Sequence, residues 1–144
     1  MPRKARPRKR PCSSCPYRRG VPSGIWAPEE YEALRKYDLD TGAQAMAGAY
    51  GVLFCHQVNG AVCAGWAGCH DMDENLGIRL AHTRVDVVFL RSYTTDVPLF
   101  GSGAEAAEHG LRDVDHPSRA ARQLKAKITE ARALRGQPVK YRDE

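Results

Sequence analysis

A chain of 144 residues and 15.9 kDa is enough for one ordinary domain and too short for two. Apolar residues make up 42% and charged residues 27%, which supports a packed core and excludes wholesale disorder. The longest stretch free of Asp, Glu, Lys and Arg, residues 41–70, holds six glycines with Gln44, His56, Gln57 and Asn59, so it is no membrane span. No apolar run follows the basic N-terminus, so a secretory signal is not expected either, and the expected location is cytoplasmic.

Charge is concentrated at the start. Arg3, Lys4, Arg6, Arg8, Lys9, Arg10, Arg18 and Arg19 all fall in residues 1–19, which hold no acid; the remainder has fourteen bases and seventeen acids. Pro2, Pro7 and Pro11 suppress helix there, so residues 1–11 read as an extended, disordered basic arm. Two readings stay open for these bases: contact with nucleic-acid phosphates, or a solvated leader without a partner.

The cysteines follow as a C-x2-C pair, Cys12 and Cys15, then Cys55, Cys63 and Cys69. An odd count without an export signal argues against a disulfide framework. A C-x-x-C turn sets two thiolates on one side, and a distant second pair completes a tetrahedral metal set. A redox dithiol, buried structural cysteines and accidental clustering are the alternatives. The first lacks the preceding strand, and Cys12 and Cys15 lie in the least core-like segment.

Pro28 with Glu29 and Glu30 starts a helix over 28–38, with Tyr31, Leu34 and Tyr37 as its buried stripe. Residues 42–48 read as a small-residue connector. Val52–Cys55 and Ala61–Cys63 read as a short β-hairpin across Asn59-Gly60, with Gly65 and Gly68 letting the next stretch wrap closely around a site. A broad apolar face predicts a helix over 73–90, and residues 94–110 read as loop. Ala121, Leu124, Ile128 and Ala131 mark a last helix over 117–135, stopped by Gly136 and Pro138. Its Arg119, Arg122, Lys125, Lys127, Arg132 and Arg135 read as an ordinary solvated basic face.

The expected fold is therefore α+β: a small single domain of about three helices and a hairpin, built around a four-cysteine metal site. It divides into a basic arm (1–11), a cysteine-rich metal-site domain (12–92), a loop (93–116), a C-terminal helix (117–136) and a tail (137–144).

Cys12-Ser13-Ser14-Cys15-Pro16-Tyr17-Arg18, Phe54-Cys55-His56, Cys63-Ala64-Gly65-Trp66, and Asn75 with Arg79-Leu80-Ala81 resemble the signature of an uncharacterised family of short bacterial and phage proteins. The resemblance covers roughly residues 12–82. It implies a metal site on Cys12, Cys15, Cys55 and Cys63, and no known activity. Cys69 lies outside the signature and is a spare or substitute ligand. The Cys-x-x-Cys-Pro-Tyr-Arg run and Gly24-Ile25-Trp26 also resemble WhiB-like iron–sulfur transcription factors, although the order of cysteines differs.

His56 and His70 are candidates to support or replace a ligand, whereas His82, His109 and His116 have no ligand spacing. Arg18 and Arg19 stand ready to offset thiolate charge. Zinc is the commoner occupant of such a site, while the Cys15-Pro16 step favours an iron–sulfur cluster, the slightly preferred cofactor. No G-x-S-x-G, Walker loop, H-E-x-x-H or zinc-deaminase pattern occurs, so catalysis is not expected. Asp71, Asp73 and Glu74 read as helix-start acids. Two functional readings follow: a metal-stabilised binding or regulatory module with nucleic-acid contact through the arm, or a redox-active iron–sulfur sensor or enzyme component.

Overall fold

The computed structural model describes residues 3–58 and 60–134. Seven α-helices carry the described fold: α1 (Pro28–Glu32), α2 (Thr41–Met46), α3 (Ala64–Cys69), α4 (Leu76–Leu80), α5 (Val87–Arg91), α6 (Gly103–Leu111) and α7 (Arg119–Leu134). Tight 310 turns at Ala33–Asp38 and Met72–Glu74 join them. Among the described residues no strand forms, and β pairing is limited to isolated bridges. The expected α+β class is therefore wrong.

The hairpin expected over 52–63 shrinks to one antiparallel bridge, Phe54 with Val62. Its two flanking hydrogen bonds are present, Cys55 N–H to Ala61 O at 2.8 Å and Cys63 N–H to Leu53 O at 2.8 Å. Extension stops because Cys63 is already the N-cap residue of α3, so helix takes over two residues after the bridge. The Asn59 turn position lies outside the described residues.

The basic arm is not a disordered leader. Ala5 bridges Val85 and Pro7 bridges Val62, both in parallel. Ala5 N–H donates to Arg84 O at 2.9 Å, Asp86 N–H to Ala5 O at 2.9 Å, and Val62 N–H to Arg6 O at 3.0 Å. Pro7 has no N–H to offer, so at the Val62 bridge the hydrogen bond runs from the partner's N–H to the arm. Alternation along the arm leaves Pro7 buried while Lys4, Arg6 and Arg8 stay exposed.

The same pairing explains why the single helix expected over 73–90 is broken. Residues 84–86 are drawn into extended contact with the arm, and polar caps restart the chain on either side. Asn75 Oδ1 accepts from Ile78 N–H at 3.0 Å and Asp86 Oδ1 from Phe89 N–H at 3.1 Å. Capping of this kind competes with helix continuation.

The 28–38 segment forms as expected, as α1 followed by the 310 turn, with Tyr31 and Leu34 buried. The expected loop over 93–116 contains α6 instead. Ser102 caps it through Oγ, accepting Glu105 N–H at 3.1 Å, and Ala106 and Ala107 are fully buried. Glycine makes this packing fit: a Cβ at Gly110 would overlap the Tyr31 ring, and one at Gly103 the Leu34 carbonyl. The small-residue connector is likewise helical, as α2, capped by Asp40. The last helix forms as α7, with Ala121 and Ile128 buried; its expected end at Gly136 lies outside the described residues.

The core is apolar, led by Trp66, Tyr17, Ile25, Ile78 and Leu90, all at most 2% exposed. Cys15 and Cys63 join it as small apolar side chains. Among the described residues, no group of three or more His, Cys, Asp or Glu is arranged to hold a metal ion. The expectation of a fold built around a four-cysteine metal site is corrected accordingly: ordinary hydrophobic burial organises this chain.

Candidate functional site

The Cys12–Cys15 segment closes as a tight turn, Cys15 N–H donating to Cys12 O at 3.0 Å, and Arg18 N–H continues it to Cys15 O at 3.1 Å. The turn is clamped on both sides. Trp26 Nε1 donates to Ser14 O at 2.9 Å, and Gln57 Nε2 donates to the buried Ser14 Oγ at 2.6 Å. Residues 17–19 then run against 98–100, with Phe100 N–H to Tyr17 O at 2.8 Å and Arg19 N–H to Pro98 O at 3.1 Å. This fixes the turn over the bridge between Phe54 and Val62, from which Cys55 and Cys63 project.

Cys12, Cys15, Cys55 and Cys63 line one cavity of about 10 Å3, with Arg8, Arg10, Pro16, His56, Val62 and Ala64. That is about the space of one water-sized probe. Among the described residues no carboxylate lines it. The thiols meet in series, Cys55 with Cys12, Cys12 with Cys15, and Cys15 with Cys63. All are free of disulfide bonds.

Electrostatics favour the neutral thiols. The contact with Cys15 raises the Cys12 pKa, Cys55 acts the other way, and burial adds to the rise. For Cys15 the Cys12 contact lowers the value, but the Cys63 contact and burial prevail and carry it well above the usual range. Cys55 is raised by Cys12 first and burial second. A ligand that replaces these protons must therefore be a strong thiolate binder.

Gly65 makes room for the innermost thiol. A Cβ there would overlap Cys15 Sγ and crowd Tyr17 Cβ at 2.7 Å. The sequence indicated close wrapping at Gly65; the structure identifies what it wraps.

Of the supporting residues named from the sequence, only His56 reaches the cavity. Its ring lies on Trp26, centroids 4.4 Å apart, and its carbonyl accepts from Arg132 Nε at 2.7 Å. Burial first, then the Arg132 charge, lowers its pKa to about 4, so the imidazole is neutral at pH 7. His70 lies elsewhere, with Nε2 at 2.9 Å from Asp38 Oδ1 and Nδ1 at 3.0 Å from Trp66 O. Cys69 is also off the cavity, its pKa pushed up to about 12 by burial and then by Asp38 and Glu105.

Arg18 and Arg19 do not line the cavity; Arg18 Nη1 donates to Pro11 O at 3.3 Å and Arg19 Nε to Leu99 O at 2.8 Å. The charges at the cavity belong to Arg8 and Arg10 instead. Sequence spacing gave no hint of this, because it depends on the arm pairing with Val62. The C-terminal helix was missed as part of the site for a similar reason: Arg132 is 76 positions from His56.

The match to a family model spans residues 7–132, from the arm to α7. The chain belongs to the family of unknown function DUF6283. No curated protein and no solved structure matches it. The DUF6283 region thus contains the four cavity cysteines, His56, and the Arg132 contact that anchors it.

Proposed function

We propose that this protein is a small metal-binding module, in which Cys12, Cys15, Cys55 and Cys63 take up a thiophilic ion after losing their protons. One observation carries the reading: four thiols from separated parts of the chain share a single cavity that no carboxylate lines among the described residues. The donor set suits a soft or borderline cation, for which four sulfurs at roughly 2.3 Å are the usual shell. The proposal concerns uptake by a chain whose hydrophobic core already defines the fold. Zn2+ is the commoner occupant of a four-cysteine site; the Cys15-Pro16 step supports the iron–sulfur form, with a sensor or electron-carrying role. Five free thiols fit a reducing, cytoplasmic setting. The basic residues Arg3, Lys4, Arg6, Arg8, Lys9 and Arg10 supply a contact to nucleic acid, consistent with a regulatory rather than a catalytic role.

The test is metal content and absorption of protein purified without oxygen, with and without added Zn2+. About one zinc per chain, lost in Cys55→Ser, supports the reading; brown protein absorbing near roughly 400 nm supports the iron–sulfur form. Metal-free protein that takes up neither ends it.

A further inference from the structure

The arm runs between the thiol cavity and a second concavity that the metal reading leaves unexplained. Arg8 and Arg10 face the cavity, while Lys9 lines a groove of about 400 Å3 with Phe89, Ser92, Tyr93 and Thr94. A volume of this size falls in the roughly 300–1,000 Å3 range of small-ligand clefts. The groove is built rather than incidental. Tyr93 OH donates to Lys9 O at 3.1 Å, tying its wall to the arm. The Phe89 and Tyr93 rings lie 6.3 Å apart and 35° from parallel, one helical turn apart at the end of α5. The Arg6 guanidinium sits 4.9 Å above Phe89 and is held by Asp86 at 2.8 Å.

Charge beside the groove is positive. Asp86 is paired with Arg6, Asp96 lies 3.7 Å from Arg10, and Asp73 is paired with Arg91 at 2.7 Å. Arg3, Lys4, Arg8 and Lys9 are exposed and take part in no ion pair among the described residues. Phosphates are the ligands such a row attracts, and aromatic faces beside it accept unpaired bases. A duplex keeps its bases stacked inside and offers nothing to Phe89 or Tyr93.

We infer that the arm and α5 together form a binding site for single-stranded nucleic acid, with phosphates along Lys4 and Lys9 and a base stacked in the Phe89–Tyr93 groove. The inference rests on the nucleic-acid part of the proposed function and adds to it the strandedness and the stacking surface. It is independent of which metal the thiols hold.

Fluorescence anisotropy with labelled oligo-dT and with a duplex of equal length, at low salt, tests the site. The full chain should bind oligo-dT more tightly than duplex. Phe89→Leu keeps apolar bulk and removes the π face; it should weaken oligo-dT binding about 5-fold or more, the lower end of base-stacking losses, while duplex binding changes less than about twofold. Phe89→Trp should retain oligo-dT affinity. Circular dichroism and thermal melting identify folded variants, and Tyr93→Leu serves as the second probe of the groove. Equal affinity for both nucleic acids, or oligo-dT binding unchanged in both leucine variants, overturns the groove and leaves an electrostatic arm. Binding to neither nucleic acid overturns the nucleic-acid reading itself.

Discussion

Arg132 on α7 donates through Nε to the carbonyl of His56 at 2.7 Å, joining the C-terminal helix to a loop that lines the cysteine cavity. His56 in turn stacks on Trp26, whose indole N–H holds Ser14 in the Cys12–Cys15 turn. The two halves of the thiol site are thus coupled through one aromatic pair, and α7 sets the position of that pair. A helix that reads from sequence as a solvated basic rod is a structural support of the site.

Arg132→Ala leaves the His56 carbonyl without this charged donor. Hydrogen bonds to charged groups contribute about 1.5–3 kcal/mol, and a loss in the lower half of that range is expected for this half-buried pair. Denaturant unfolding measures it. Arg122→Ala, which removes an exposed bond at 2.9 Å to the carbonyl of Pro117 just ahead of the helix, should cost less.

Gly65→Ala forces a methyl group into Cys15 Sγ. Overpacking of this kind costs about 1–3 kcal/mol. Metal uptake should fall along with stability, because Cys15 must move. Gly20→Ala meets nothing within 4 Å and should leave both properties intact, as calorimetry and metal analysis of the two variants will show.

Cys69 has its pKa pushed up to about 12, so at pH 8 roughly one thiol in ten thousand is ionised. Iodoacetamide should leave Cys69 unmodified in the native protein and alkylate it in denaturant, as read by peptide mass spectrometry. In the unfolded chain its pKa returns to about 8.5, so the neutral thiol's contribution to stability is complete below that value and is lost as pH rises toward 12. Cys69→Ser should spare metal uptake, in contrast to Cys55→Ser.

Removing residues 1–7 deletes the arm's bridges to Val62 and Val85 with their three backbone hydrogen bonds. At about 0.5–1.5 kcal/mol each, the expected loss is about 1.5–4.5 kcal/mol. Lys4→Ala, which keeps the backbone pairing, should change stability by less than about 0.5 kcal/mol. Equal melting temperatures for the truncated and full-length chains would return the arm to a mere leader.

What the sequence determined by itself were features carried by local chemistry. Pro28 with two following acids starts α1, and a 3.6-residue apolar stripe defines α7. The Cys12–Cys15 spacing makes a tight turn because four residues are enough to close one. The four cysteines singled out by the resemblance line one cavity, and Cys69 does not.

Tertiary structure decided the rest. Two Asx caps and the arm's pairing at Val85 broke the helix expected over 73–90, and no local pattern around Val85 announces a partner 80 positions away. The same arm, rich in prolines and bases, reads as disordered from its own sequence; its order comes from the N–H donors of Val62 and Asp86 and the carbonyl acceptor of Arg84, which only the folded chain brings within reach. Residues 103–111 read as loop because Gly103 and Gly110 are poor helix formers and the small residues between them show no bulky apolar stripe; burial against Tyr31 and Leu34 makes small residues the ones that fit. A sequence specifies its turns and stripes through neighbours in the chain, but which segment meets which is set by packing across long separations, where the favourable burial of one surface depends on the shape of another.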